Sequence, residues 1–374
     1  MTNLLRVFLV AGLSAYFLFP LVAVATADDA PVRVAIVGLV HGHVKGFLSA
    51  LPKNSSAALV AVVEPQTELA KAYAAEYKVD ANLFYTDLEK MLVDVHPDAV
   101  LVYTTIKDHR RVIEVAARHG VSSMVEKPLA TTLEDAIAIR AAAREHHVTV
   151  LVNYETTWYA SNREVFAQVK AGRFGEIRRV VVHDGHEGPE EIHVEPEFLS
   201  WLTDPRTNGA GALFDFGCYG ADLMTVLMHG NAPDSVVAVT RTFKPEEYPK
   251  VDDDATVVLQ YAKAQAVLMP SWNWPFSRKD MEVYGVDGYG ITAGPNLVRM
   301  RYHGEEGETE MRARQVPKDE SNSLDYLAAV LRGRVKPHGD LSSLETNMVV
   351  MQILDAALRS AQNGRAVTVT ALPE

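Results

Sequence analysis

The fold turns on "VAIVGLVHGHVKGF", residues 34–47. Its first half is an apolar, β-branched run, the composition of a strand buried on both faces of a parallel sheet. The run enters Gly38 and a helical pattern follows, so a strand passes through a tight turn into a helix. Open α/β sheets bind their ligands at that carboxyl edge. A glycine there reaches backbone conformations closed to other residues and lets the main chain approach a phosphate. The usual glycine fingerprint of such a turn also needs glycines at positions 40 and 43. This chain has Val40 and His43 instead, and Gly42 and Gly46 do not restore the spacing. The turn alone leaves two readings open, a dinucleotide site and an ordinary strand–turn–helix connection.

The same rhythm runs on to Asn153. "VRVAIVG", "ALVAVVE", "AVLVYT", "SSMVEK" and "VTVLVN" read as strands, with helical patterns between them such as "TELAKAYAAEY" and "DHRRVIEVAARHG". Gly120 stops the second of these, and the Thr131–Glu134 spacing suggests a capping box for the helix that follows. Alternating strands and helices mean right-handed crossovers and a doubly wound parallel sheet, placed here in residues 28–153. After Asn153 strand-like runs succeed one another with few helices between. That pattern predicts an α+β domain with a largely antiparallel open sheet over residues 154–374. Two helices are expected near residues 323–331 and 343–362, the last ended by Gly364 and able to pack back on the first domain.

Residues 1–27 read as an export signal: one basic residue, a long apolar run, and "ATA" before Asp28. The expected outcome is cleavage between Ala27 and Asp28 and an exported chain, periplasmic or secreted; the alternative is an uncleaved membrane anchor. Beyond it no second spanning segment is apparent. The formal charge of −12 argues against a nucleic-acid partner, whose phosphates demand a basic face. Cys218 is the sole cysteine, so no internal disulfide is available and stability must come from the core.

Strand two ends in Glu64, where a carboxylate can accept hydrogen bonds from an adenosine ribose and repel a 2′-phosphate, favouring NAD over NADP. A later strand ends in "VEKPLA", residues 125–130. Glu126-Lys127-Pro128 at that position resembles the signature of the glucose–fructose oxidoreductase/inositol dehydrogenase/MocA family. "PDAVLVYTTIKDH" is similar to the family's third strand and following loop. "GALFDFGCYGADL" resembles its second-domain motif, and "LDAALRSAQNGRAVTV" its closing helix and strand.

The resemblance implies a Rossmann domain holding a nicotinamide dinucleotide, with cofactor contacts from Gly38, Val40, Thr104, His109 and Glu126. It assigns acid–base work to Lys127, an amine whose pKa is expected to fall toward neutrality in a desolvated site. Asp215 is implied as its carboxylate partner. Tyr219 stands where many members carry histidine, and the tyrosine resembles the glucose–fructose oxidoreductase branch. His41 and His43 either reach a phosphate or substrate, or merely begin the helix. Tyr154 and Trp158 are candidates for stacking on a sugar ring, as are Trp272 and Trp274, with core packing the alternative. His183, His186 and His193 raise a metal question. Strand residues three apart face opposite ways, so no metal site is expected and His186 is taken as a substrate residue.

The expectation is an NAD(P)-dependent oxidoreductase acting on a secondary hydroxyl of a sugar, polyol or glycoside, as a homodimer or homotetramer. Outside the cytoplasm free NAD is scarce, so a tightly bound cofactor and redox-neutral turnover are expected. Two alternatives stand beside it: cleavage of a glycoside through transient ring oxidation, and a carbohydrate-binding protein on a decayed dehydrogenase fold.

Overall fold

Six short apolar segments build the first sheet. The computed structural model describes residues 30–372, so the expected signal segment and its cleavage site lie outside the described residues. The strands are β1 (Val32–Val37), β2 (Ala57–Val63), β3 (Phe84–Tyr85), β4 (Ala99–Val102), β5 (Ser122–Glu126) and β6 (Val150–Asn153). Every neighbouring pair is parallel and the order is β3-β2-β1-β4-β5-β6. The order reverses between β1 and β4, which opens the crevice where such sheets bind ligands. β4 and β5 are buried at every position: β4 is wholly apolar, and β5 buries Ser122, Ser123 and Glu126 along with Met124 and Val125.

Helices α1 (Val44–Ala50), α2 (Thr67–Tyr77), α3 (Leu88–Val95), α4 (His109–Arg118) and α5 (Leu133–Glu145) connect these strands. The cap of α5 lies one residue later than expected. Thr132, not Thr131, accepts the Asp135 amide, because Thr132 has the extended backbone that an N-cap needs. β3 escapes the sequence reading because two residues show no periodicity.

After α6 (Ala160–Lys170) a second sheet begins with β7 (Ile177–Gly185). Four helices follow: α7 (Pro196–Leu202), α8 (Pro205–Asn208), α9 (Ala212–Asp215) and α10 (Gly217–Leu227). The other strands are β8 (Ser235–Arg241), β9 (Asp254–Gln260), β10 (Gln265–Ser271), β11 (Arg278–Gly285), β12 (Gly288–Gly294), β13 (Leu297–Tyr302), β14 (Thr309–Arg312) and, at the end, β15 (Val367–Thr368). The order is β14-β13-β12-β11-β7-β10-β9-β8-β15, antiparallel except for the β7–β10 pair. The glycine-rich β12 and the wholly exposed β14 lacked the apolar alternation that marks a strand.

Two more helices, α11 (Ser323–Leu331) and α12 (Leu344–Asn363), complete the chain. α10 is buried along almost its whole length, against β7 and β10 on one side and α12 on the other. α12 also touches β6 and α5 of the first sheet and β8 of the second. Tyr154 donates to Asn347 Oδ1 at 2.8 Å, and the Val152 amide to the Ser342 carbonyl at 3.0 Å, so the closing helix is tied to the edge of the first sheet.

Candidate active site

The turn after β1 is built around Gly38. Its φ is +84°, and a Cβ there would stand 2.7 Å from the Thr104 methyl and 2.9 Å from the Tyr103 carbonyl, so only glycine fits. Glu64 is buried at the end of β2, where its two oxygens accept the Leu39 and Gln66 amides, both at 2.8 Å. Burial pushes its carboxyl above the ordinary range, and those two amides oppose the shift. Gly38, Val40, Glu64 and Thr104 border a cavity of about 430 Å³ that also takes in Asp87, Asp108 and Arg111. A nucleotide's adenosine half suits this hollow: a glycine-only turn lets a phosphate approach, and the Glu64 oxygens retain lone pairs for ribose hydroxyls.

Val40 is tied to α7 from the other half of the chain. Its carbonyl accepts the Trp201 indole N–H at 3.0 Å, and Phe198 packs so closely that a Cβ on Gly42 would lie 2.7 Å from its ring. His41 is buried between the Phe198 and Trp201 rings, 4.7 and 5.2 Å away. Burial, first, and the neighbouring His43 and Lys127 hold its pKa well below the usual imidazole value, so it is neutral. α7 is thus clamped across the turn, and Lys45 fixes its start through Glu195 at 2.6 Å.

Beyond α7 opens a cleft of about 290 Å³, and here the two halves of the chain supply one cluster. Lys127, from the end of β5, donates to the Asp215 carboxylate and, at 2.8 Å, to the Asp215 carbonyl. Burial alone would lower the Lys127 pKa, but Asp215 outweighs it and the value is raised. That corrects the expectation of an amine drawn toward neutrality. In Asp215 burial likewise favours the neutral acid, and Lys127 overcomes it, so the carboxyl sits below its ordinary range. Trp272 donates to its other oxygen at 2.9 Å.

The rings of Phe216 and Tyr219 lie 5.6 and 5.3 Å from the Lys127 nitrogen. Burial pushes the Tyr219 phenol well above 10, and among the described residues its hydroxyl has no hydrogen-bond partner. His186 borders the same cleft. Its Nδ1 accepts the Gly188 amide at 2.9 Å, leaving Nε2 as the donor of the neutral ring. His43 faces the cleft from the turn, with Nδ1 bonded to Glu126 at 2.9 Å. Asn153 supports Glu126 from the other side at 2.8 Å.

Several expected residues lie elsewhere. Tyr154 is fully buried against Tyr219 and Asn347, so it cannot stack on a ligand. Trp272 is equally buried and holds Asp215, whereas Trp274 pairs with His183 and Arg278 away from the cleft. His109 is enclosed, with Nδ1 on the Leu129 carbonyl at 3.2 Å; burial lowers its pKa to about 4, and it steadies the loop after Lys127 without bordering the cavities described here. His183 binds Asp280 at 2.9 Å and does not converge with His186. His193 does not border the cleft.

Sequence reasoning missed Lys279, Glu155, Asp184, Phe198 and Trp201. Lys279 projects into the cleft from β11 and is ion-paired with Glu155. Asp184 lies opposite Lys279 in the strand register, and among the described residues neither of its buried oxygens has a hydrogen-bond partner. Burial pushes its carboxyl well above the ordinary range. Nothing local marks these residues, because strand pairing and α7 docking alone bring them to the site.

A doubly wound sheet with a nucleotide-sized cavity at its carboxyl edge, and a cleft where a lysine at a strand end meets a carboxylate from a helix of the second half, defines a dehydrogenase-like enzyme. Comparison with known proteins agrees. Residues 32–154 match the oxidoreductase family with an NAD-binding Rossmann fold, and residues 162–290 match the GFO/IDH/MocA C-terminal domain. The chain is 26% identical over 319 residues to 1,5-anhydro-D-fructose reductase of Ensifer adhaerens, covering 83% of this chain and 91% of that one. In fold it is similar to the aldose-aldose oxidoreductase of Caulobacter crescentus complexed with glycerol, with a TM-score of 0.77, 24% identity and coverage of 90% and 99%. It is also similar to an inositol dehydrogenase homolog of Azotobacter vinelandii complexed with NAD+, with a TM-score of 0.79, 20% identity and coverage of 91% and 97%. The chain belongs to the Gfo/Idh/MocA oxidoreductase family.

Proposed function

We propose that this oxidoreductase interconverts a secondary hydroxyl and a carbonyl on a sugar, polyol or glycoside. Its cofactor is NAD rather than NADP, Lys127 and Asp215 do the acid–base work, and Tyr219 donates a hydrogen bond beside them. The observation that carries the reading is the buried Lys127–Asp215 pair in a cleft shared with the unpartnered Tyr219 hydroxyl. The similarity to a sugar reductase over 83% of the chain supports the substrate class. The acidic lining from Glu64, Asp87 and Asp108 supports NAD, since a 2′-phosphate would meet carboxylates.

When bound, the nicotinamide accepts or returns the hydride. The protein's part is the proton. In reduction the charged Lys127 is set to donate: as hydride reaches the carbonyl carbon, the C=O π bond breaks and the oxygen takes a proton from the ammonium. In oxidation the amine must first be neutral, and it then takes the hydroxyl proton as the C–H electron pair departs. Asp215 stabilises the ammonium in both directions, while Trp272 keeps its carboxylate aimed. Tyr219 and His186 present donors to the substrate's remaining oxygens.

The proton taken from one sugar is the proton needed by the next carbonyl, so paired half-reactions leave no net proton or hydride. The α7 clamp over the cofactor turn and the signal-like residues 1–27 support a retained cofactor in an exported enzyme. Exposed Val239 on β8 and Met311 on β14, with Phe243, Phe276 and Val286 in loops beside the second sheet, support a homodimer or homotetramer formed through that sheet.

The test begins with the purified protein as isolated. Denaturation should release NAD, identified by mass spectrometry. Adding an aldose should raise NADH absorbance on the protein, and a second sugar carbonyl should discharge it. Protein that carries no nucleotide and binds none would end this reading.

A further inference from the structure

One wall of the catalytic cleft is a loop, residues 186–195, that joins β7 to α7. Pro189, Ile192, Val194 and Glu195 border the cleft from it, with His186 at its base. The base is fixed to the second sheet. The His186 amide donates to the Ser271 carbonyl at 3.1 Å, and the His186 carbonyl accepts the Trp274 amide at 3.2 Å. The tip closes on itself: the Ile192 amide donates to the Gly188 carbonyl at 3.0 Å and the Val194 amide to the Pro189 carbonyl at 3.1 Å. Gly188 and His193 bound that tip, and both hold positive φ, +129° and +56°. For a histidine this backbone is uncommon and persists only where surrounding contacts hold it.

Those contacts come from the connection between β8 and β9. Glu191, at the tip, accepts from the Lys244 ammonium and from the Tyr248 hydroxyl. Burial would raise the Glu191 carboxyl, but these two donors outweigh it and hold the group below the ordinary range. Lys244 also donates to the Glu187 and Trp272 carbonyls, at 2.6 and 2.8 Å, and the Glu190 amide donates to the Tyr248 hydroxyl at 3.1 Å. A Cβ on Gly188 would stand 2.6 Å from the Tyr248 oxygen and closer still to the Glu191 carboxylate, so the latch closes against a bare Cα. The receiving side is itself pinned. Buried Asp253 accepts the Phe243 and Lys244 amides at 2.9 and 2.7 Å, and its carbonyl accepts the Trp272 amide at 2.7 Å.

The same residues reach toward the reacting groups. Tyr248 is fully buried, its ring centre 5.0 Å from that of Trp272, whose indole N–H holds Asp215. One side chain thus meets the cleft wall with its hydroxyl and the support of Asp215 with its ring. We propose that Glu191, Lys244 and Tyr248 are positioning residues for the reaction. They latch the loop as a wall against the sugar, while the Tyr248 ring keeps Trp272, and through it Asp215, in place. The inference rests on the reading of the cleft as the sugar site and adds residues that act on it from outside.

The two contacts of Tyr248 can be separated by experiment. The holoenzyme with bound NAD is assayed with glucose, galactose and mannose by formation of bound NADH, and its melting midpoint is read alongside. Tyr248→Phe deletes the hydroxyl and keeps the ring, so KM for sugar should rise by about tenfold with kcat within about twofold. Glu191→Ala should do the same. The double variant should cost no more than either change alone, because both open one latch. Glu191→Gln keeps an acceptor for Tyr248 and should recover most of the lost KM. Tyr248→Leu removes the ring as well, and should lower kcat by about a further tenfold. A KM that Glu191→Ala leaves unmoved, with or without a lower midpoint, would make the loop a structural brace and overturn the proposal. Additive losses in the double variant would overturn it too, as would a Tyr248→Leu kcat equal to that of Tyr248→Phe. Each of those results leaves the oxidoreductase standing, since the parent still turns over sugar. A parent whose bound cofactor none of the three sugars reduces would end that reading, and the latch with it.

Discussion

At the scale of single residues, the Lys127–Asp215 pair makes a statement about pH. The lysine pKa is raised and the aspartate pKa lowered, so the pair stays charged across the neutral range. Oxidation needs the free amine, hence its kcat/KM should climb with pH through the alkaline range. Reduction needs the ammonium and should hold steady through neutrality, then fall at high pH. Asp215→Asn removes the charge that outweighs burial. The oxidation limb should then move to lower pH while kcat drops, a shift visible in paired pH–rate profiles of the two directions. Lys127→Ala should cost about 10²- to 10⁴-fold in kcat with sugar binding retained, measured by calorimetry. Glu64 carries a separate expectation. Glu64→Gln keeps an oxygen for the Leu39 amide but loses the charge, so NADP should gain on NAD in a competition assay. An unchanged NAD:NADP ratio would remove Glu64 from cofactor choice.

At the scale of elements, α7 is the part that distinguishes this turn from a glycine-rich one. The carbonyl of Val40 and the bare Cα of Gly42 serve to dock Trp201 and Phe198. The glycines missing at 40 and 43 are explained by what sits there: a helix from the other half of the chain and a hydrogen bond between His43 and Glu126. Trp201→Phe keeps the ring and deletes one hydrogen bond, a loss of about 1 kcal/mol. If α7 retains the cofactor, release of bound NADH should quicken by about fivefold in a stopped-flow chase, with kcat little changed. Release at the parental rate would mean that the clamp has no part in retention.

The same element shows where sequence reading stops. Gly38, Glu64, Glu126 and Lys127 stand at strand ends, and strand ends are legible because an apolar run must finish somewhere. Asp215 and Tyr219 were found only through a motif. Lys279, Glu155 and Trp201 were not found, since their positions depend on the pairing of β11 with β7 and on the approach of α7. Tyr154 and Trp272 were misplaced for a related reason. An aromatic side chain beside a strand looks alike in sequence whether it faces a ligand or a helix packed from two hundred residues away.

At the scale of the whole molecule, α12 makes the two sheets a mechanical unit. It packs on α10 and β8 of the second sheet while touching β6 and α5 of the first. The proposed chemistry draws on this, because Lys127 and Asp215 come from opposite sides of that junction and meet in one cleft. Tyr154 belongs to the junction rather than the site: its hydroxyl reaches Asn347 on α12, and its ring edges onto Tyr219. Tyr154→Phe leaves the Asn347 oxygen without its donor in a buried place, at a cost of about 1 to 3 kcal/mol. Because the junction is shared, that loss should lower the midpoint of a single unfolding transition by about 2 °C or more, rather than split it in two. Calorimetry reads both features. Turnover at temperatures where the variant stays folded should match the parent, and KM for sugar should not move. A raised KM with an unmoved midpoint would return Tyr154 to the substrate; two separated transitions would show that the sheets fold independently and that α12 does not bind them.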